Sequence, residues 1–144
     1  MTVRVDRSFE LPAPPERVWE FIADPEHRAR AISVVADYTV DDEDGRRATW
    51  HVELPIPFVR RTVTVRTEDV TRTPPEYVEF VGRSKVMDVT GEHRLSETDG
   101  GTLLENRFVV DGKVPGVETF FKRNLDGELE NLQRATERYL RTTQ

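Results

Sequence analysis

The C-terminal stretch of this chain constrains its fold more than any other segment. Residues 117–141 contain no proline and a single glycine, Gly127. Val117, Phe121, Leu125, Leu129, Leu132, Ala135, Tyr139 and Leu140 recur mostly at three- and four-residue steps. On a helix those steps fall on one side and form a single apolar stripe. At 1.5 Å per residue the helix is about 37 Å long, enough to cross a whole sheet. The rest of the chain must therefore supply a broad apolar surface to receive it.

The preceding segments read as that surface. Residues 3–11 (VRVDRSFEL) alternate apolar and polar side chains, the pattern of a strand with one buried face. Pro12, Pro14 and Pro15 end it, and PPERVWEFIA opens a short helix with Val18, Trp19 and Ile22 on its apolar side. Asp24 is placed to cap a second short helix that begins at Pro25 and runs to about residue 31. Strands are then expected at 34–40, 48–54, 59–71, 77–82, 85–95 and 103–110. The links between paired strands include DDEDGR, TPPE and ETDGG, too short for parallel crossovers, so the sheet is antiparallel. The expected architecture is α+β: six to seven antiparallel strands, two short helices after the first strand, and the long terminal helix. All 144 residues are expected to form one domain.

Composition narrows the function classes. The chain has 27 acidic against 21 basic residues, for a net charge of −6, the opposite of a general nucleic-acid binder. It has no cysteine, which excludes disulfides, thiolate metal sites and a cysteine nucleophile. No stretch approaches the ~18 apolar residues of a spanning helix, and no signal peptide is visible in MTVRVDRSFE. The expectation is a soluble, cytoplasmic protein.

The order of these elements, with VWEFIADPEH after strand one, Gly101-Thr102 after the last hairpin and PGVETFFKRNLDGELENLQRATERYL at the end, resembles the helix-grip (START-like, SRPBCC) superfamily. More narrowly it is similar to the polyketide cyclase/dehydrase and lipid-transport group, and the likeness covers nearly the whole chain. The resemblance implies a curved sheet wrapped around the C-terminal helix, with a cavity between them for a lipid, polyketide or quinone-like molecule. It implies no single chemistry, because cyclases, carriers, receptors and co-chaperones share the fold.

Alternation assigns the inward faces independently. Val34, Ala36, Tyr38 and Val40 share one face, as do Ala48, Trp50, Val52 and Leu54 on the next strand. Val63, Val65 and Thr67 follow, then Val78 and Phe80, then Met87, Val89, Gly91, His93 and Leu95, and finally Leu104, Asn106, Phe108 and Val110. A hairpin closed by ETDGG sets Gly91 beside Phe108, His93 beside Asn106 and Leu95 beside Leu104. The expected ligand cavity is bounded by Tyr38, Trp50, Val65, Phe80, Val89, Phe108 and Phe121, with His93 and Asn106 as its polar pair. That pair either bonds internally or orients a ligand oxygen. Gly91 beside it either leaves room for a ligand or permits a bend in the sheet. Ile56 and Phe58, in the stiff Leu54-Pro55-Ile56-Pro57-Phe58 link, either pack under the helix or form a rim that gates the cavity and touches a membrane transiently.

Other signals carry less. Asp41, Asp42, Glu43 and Asp44 before Gly45 lack calcium-loop spacing and read as a solvated turn. His27, His51 and His93 fall on three separate elements, so no metal site is expected, and no cofactor is indicated. No G-x-S-x-G elbow occurs. The leading expectation is a non-catalytic binder or carrier of a small apolar molecule. Two others stand beside it: a cyclase- or dehydratase-like enzyme in which His93 and Asn106 polarise a carbonyl, and an interaction module with a collapsed cavity.

Overall fold

The computed structural model describes residues 2–56 and 62–142. Strand β1 (Thr2–Leu11) leads into helices α1 (Pro15–Ile22) and α2 (Pro25–Ala31). Strands β2 (Val35–Val40), β3 (Arg47–Val52), β4 (Val63–Thr73), β5 (Tyr77–Arg83), β6 (Met87–Thr98) and β7 (Gly101–Gly112) follow, and α3 (Val117–Thr142) ends the fold. All pairings are antiparallel and the strand order is β1-β7-β6-β5-β4-β3-β2. The architecture is the helix-grip arrangement, with seven strands. Consecutive strands β1 and β2 lie at opposite edges, and α1 and α2 carry the chain between them.

Local chemistry explains the joints. Asp24 caps α2, accepting the Glu26 amide at 2.9 Å, with Pro25 at the first helical position where a missing amide costs nothing. On α1 the buried face is Val18, Phe21 and Ile22. Phe21 takes the place expected of Trp19, stacking on His27 with ring centroids 4.7 Å apart and touching Tyr139 of α3. The Gly-Thr step after the last hairpin ties β7 to the end of β1. A side chain at Gly101 would collide with the Leu11 carbonyl oxygen, and the buried Thr102 hydroxyl donates to the Ala13 carbonyl at 2.7 Å.

Helix α3 lies on the inner face of the sheet. Phe121, Leu125, Leu129 and Leu132 are all buried there, as the stripe requires. Two bulges alter the sheet near its β2 edge, one between Val35 and Asp37 and one between Asp69 and Thr71. Each inserts a residue that shifts the inside-outside phase. The first sets Val35 opposite Val52 and turns it towards the helix side, and the second leaves Val70 exposed.

Candidate functional site

Between the inner face of the sheet and α3 lies a cavity of about 40 Å³. The sheet side is formed by Trp50 and Val52 on β3, Val65 on β4, Met87 and Val89 on β6, and Phe108 and Val110 on β7. The helix side is formed by Leu125, Glu128, Leu129 and Leu132, and the remaining wall by Ile32, Val34 and Val35. Thirteen of these fourteen side chains are apolar. Ile32, Val34 and Val35 are half-buried, and Ser33 between them is exposed, so the α2–β2 junction is where the wall meets solvent.

Glu128 is the exception in that wall. It is 93% withdrawn from solvent, on a helix face otherwise apolar. Its Oε2 accepts the Ser33 amide at 2.7 Å, and its Oε1 accepts the Ser33 hydroxyl and, at 3.3 Å, the Asn131 side-chain amide. One carboxylate thereby fastens the α2–β2 junction to α3. Trp50 carries a second polar group of the wall residues, and its indole Nε1 is buried with no hydrogen-bond partner among the described residues.

Four of the residues expected at the cavity, Trp50, Val65, Val89 and Phe108, line it. The others sit elsewhere, each for a physical reason. Tyr38 is opposite Trp50 on the same face, but at the sheet edge it lies under α2. There its hydroxyl accepts from Arg30 Nε at 2.6 Å and donates to Glu26 at 2.8 Å. Phe80 is fully buried behind the wall, against Trp50 and Phe108, and its ring fills the space over Gly91. That ring is why Gly91 opens no room for a ligand. Phe121 is buried near the start of α3, edge-on to Phe120, and is not part of the wall. Ile56 is half-buried, close to Gly116 in the turn before α3. Phe58 lies outside the described residues.

His93 and Asn106 pair in the expected register and bond each other, Nδ1 to Oδ1 at 2.7 Å. Asn106 Nδ2 donates to the Arg7 carbonyl at 3.1 Å, so Oδ1 faces the imidazole and Nδ1 must carry the proton. Nε2 then holds a lone pair, with no partner among the described residues. The ring lies between Phe80, stacked on it at 6.2 Å, and Phe108, edge-on at 5.6 Å. Burial, reinforced by the charge of Arg28, pushes the imidazole down to about 3, with the Asn106 bond opposing in part. It is neutral at physiological pH, fully buried, and not on the cavity wall.

A charged cluster that sequence reasoning did not find lies beyond Phe80. Arg28 of α2 is 2% exposed and packs over the Phe80 ring at 5.0 Å. It donates to the Ile22 carbonyl at 3.0 Å and to Asp69 Oδ1 at 2.5 Å. Asp69 Oδ2 also accepts from Arg72 Nε at 2.9 Å, and Arg72 reaches the Ala23 and Gly45 carbonyls. Burial lowers the affinity of Arg28 for its proton, and the Asp69 carboxylate offsets this. The cluster knits α1, α2, β4 and the β2–β3 turn together. Among the described residues no group of three or more His, Cys, Asp and Glu side chains is placed to hold a metal ion.

The sequence profile described as "Polyketide cyclase / dehydrase and lipid transport" matches residues 2–137. The chain belongs to the polyketide cyclase/dehydrase and lipid transport family. No curated protein matches it. Solved structures share the fold of this family member at low identity. A START superfamily protein from Mycobacterium smegmatis superposes with a TM-score of 0.73 at 17% identity, covering 97% of this chain and 99% of that one. The Zhui aromatase/cyclase from Streptomyces sp. R1128 gives the same TM-score and identity, covering 99% and 98%. The di-domain ARO/CYC StfQ from the steffimycin biosynthetic pathway matches at 13% identity and a TM-score of 0.73 over 96% of this chain and 51% of its own. This family member therefore corresponds in length to about one half of that di-domain protein. No helix among its described residues is long and apolar enough to cross a membrane.

Proposed function

We propose that this family member binds a small apolar molecule in the cavity between the sheet and α3, without catalysing its conversion. The observation that carries the reading is the wall itself: thirteen apolar side chains from five strands, the α2–β2 junction and α3 enclose a void instead of filling it. A void of about 40 Å³ forgoes about 1 kcal/mol of packing at ~24 cal/mol per Å³. A chain with no use for the space gains by closing it with a larger side chain.

Catalysis by the His93–Asn106 pair has less support. A general acid or base must reach its substrate and hold a proton affinity near the working pH. His93 is fully buried off the wall and stays neutral down to about pH 3. Native mass spectrometry of gently purified protein, followed by organic extraction, tests the reading. A single apolar compound in one-to-one ratio is the expected result. A protein that remains bare when offered its host's lipid and aromatic extracts would contradict it.

A further inference from the structure

Most of the cavity wall is held from both sides, and the α2–β2 junction is not. We propose that this junction, residues 32–35, is the door through which an apolar ligand enters, and that Ser33 and Glu128 form its latch. This rests on the cavity being the binding site, as proposed above.

The void of about 40 Å³ is smaller than the ~150 Å³ space that accommodates benzene, so a ring-sized ligand must move part of the wall to enter. The sheet side of the wall lies on β3, β4, β6 and β7, and each of these strands is paired on both of its edges. Helix α3 is anchored beyond the cavity at both ends, by buried Val117 and Phe121 and by buried Leu140. Ile32, Val34 and Val35 are secured differently. Strand β2 is an edge strand with one partner, and its pairing is interrupted by the bulge immediately after Val35. The junction is tied to the sheet by the Glu53 amide, which donates to the Val34 carbonyl at 2.8 Å. Among the described residues, its hydrogen bonds to α3 are the two that Ser33 gives Glu128.

That tie is suited to release. Ser33 is exposed, so water reaches its amide, its hydroxyl and the Glu128 carboxylate together when the junction lifts. Water then replaces the two bonds, while Asn131 keeps the third at 3.3 Å. No charge is left dry in the apolar wall, and opening exchanges hydrogen bonds instead of forfeiting them. Closing restores both bonds and returns Ile32, Val34 and Val35 to the wall.

Stopped-flow quenching of Trp50 by iodobenzene reads entry and release, with Trp19→Phe in every protein to remove the other indole. Ser33→Ala deletes the hydroxyl half of the latch and should raise both rate constants about tenfold, the effect of one hydrogen bond to a charged acceptor. Kd should stay within about threefold, because the junction closes over the empty and the loaded cavity alike. Glu128→Gln, which keeps the side-chain length and removes the charge, should move both rates in the same direction. Hydrogen exchange of the Glu53 amide should also quicken in Ser33→Ala with no ligand present, because its acceptor is on the junction. Val78→Ala, a buried change in β5 away from the wall, should lower the thermal midpoint and leave both rates within about twofold. Rates or Glu53 exchange unchanged in Ser33→Ala, or rates raised equally by Val78→Ala, would overturn the latch while the cavity remains the binding site. Tighter binding with an unchanged release rate would overturn it too, because the junction would then stay displaced in the complex. If iodobenzene does not bind the wild type, the cavity reading fails and the door fails with it.

Discussion

At Asp69 a single buried carboxylate holds two arginines, and the rest of that cluster depends on it. Asp69→Ala leaves Arg28 buried without its counter-charge, a situation that costs about 3–5 kcal/mol. Denaturant melts of the two proteins at pH 7 would measure the difference, and a loss under 1 kcal/mol would show that Arg28 finds water instead. The inward position of Asp69 was legible, because Val63, Val65, Thr67 and Asp69 continue one alternation. Its partner was not: Arg28 is 41 residues away on a short helix whose sequence, PEHRARA, reads as surface. His93 makes a second residue-scale prediction. The unfolded chain protonates this imidazole near 6.5 and the folded chain only near 3. Between those values the unfolded state binds more protons, so stability falls as pH falls, by up to about 1.4 kcal/mol per unit, and is unaffected above about 6.5. His93→Leu combined with Asn106→Leu removes both partners of one bond together but also takes the Asn106 donor from the Arg7 carbonyl, so stability at pH 7 should fall by about 1–3 kcal/mol. The same double variant should lose this share of the acid slope. An identical slope in both proteins between pH 4 and 6 would place the titration on other groups.

Helix α3 shows what the sequence pattern carries and what it omits. The four-residue steps through Phe121, Leu125, Leu129 and Leu132 located the buried face because apolar periodicity on a helix is geometric. Glu128 sits three residues after Leu125 and four before Leu132, on the same flank, and a carboxylate at such a position reads as solvated. Only its partner Ser33, from a distant junction, makes its burial tolerable. Gly127 is exposed, in helical backbone, and a methyl group there meets nothing within 4 Å. Gly127→Ala should therefore stabilise the protein by about 0.5–1 kcal/mol, read as a rise in thermal midpoint. Leu129→Ala should cost about 2–5 kcal/mol, because it deletes a buried side chain and extends the neighbouring void. Part of that loss should return on adding toluene, as expected when a ligand binds only the folded state. The β2 edge was the least legible element. The bulge between Val35 and Asp37 shifts a phase that alternation alone carries straight through, and α2, not α3, covers Tyr38 on the inner face.

For the whole molecule, element order was readable because turn signals and periodicity are local, while cavity shape depends on how side chains from many elements meet. Strand phase placed Trp50, Val65, Val89 and Phe108 on the inward face, and the family resemblance implied the cavity that they line. Phase could not tell that Phe80 would lie over Gly91 and fill the space behind it. The central claim is that the space left over is a binding site. Methyl-resolved NMR during a titration with an apolar aromatic probe tests it most directly, because Val65, Val89, Val110, Leu125, Leu129 and Leu132 carry reporter methyls on opposite walls. The account predicts saturable shifts concentrated on those methyls, and their abolition in a variant such as Val110→Trp that fills the void. Shifts scattered over the exposed valines Val40 and Val70, or no shifts at all, would contradict it.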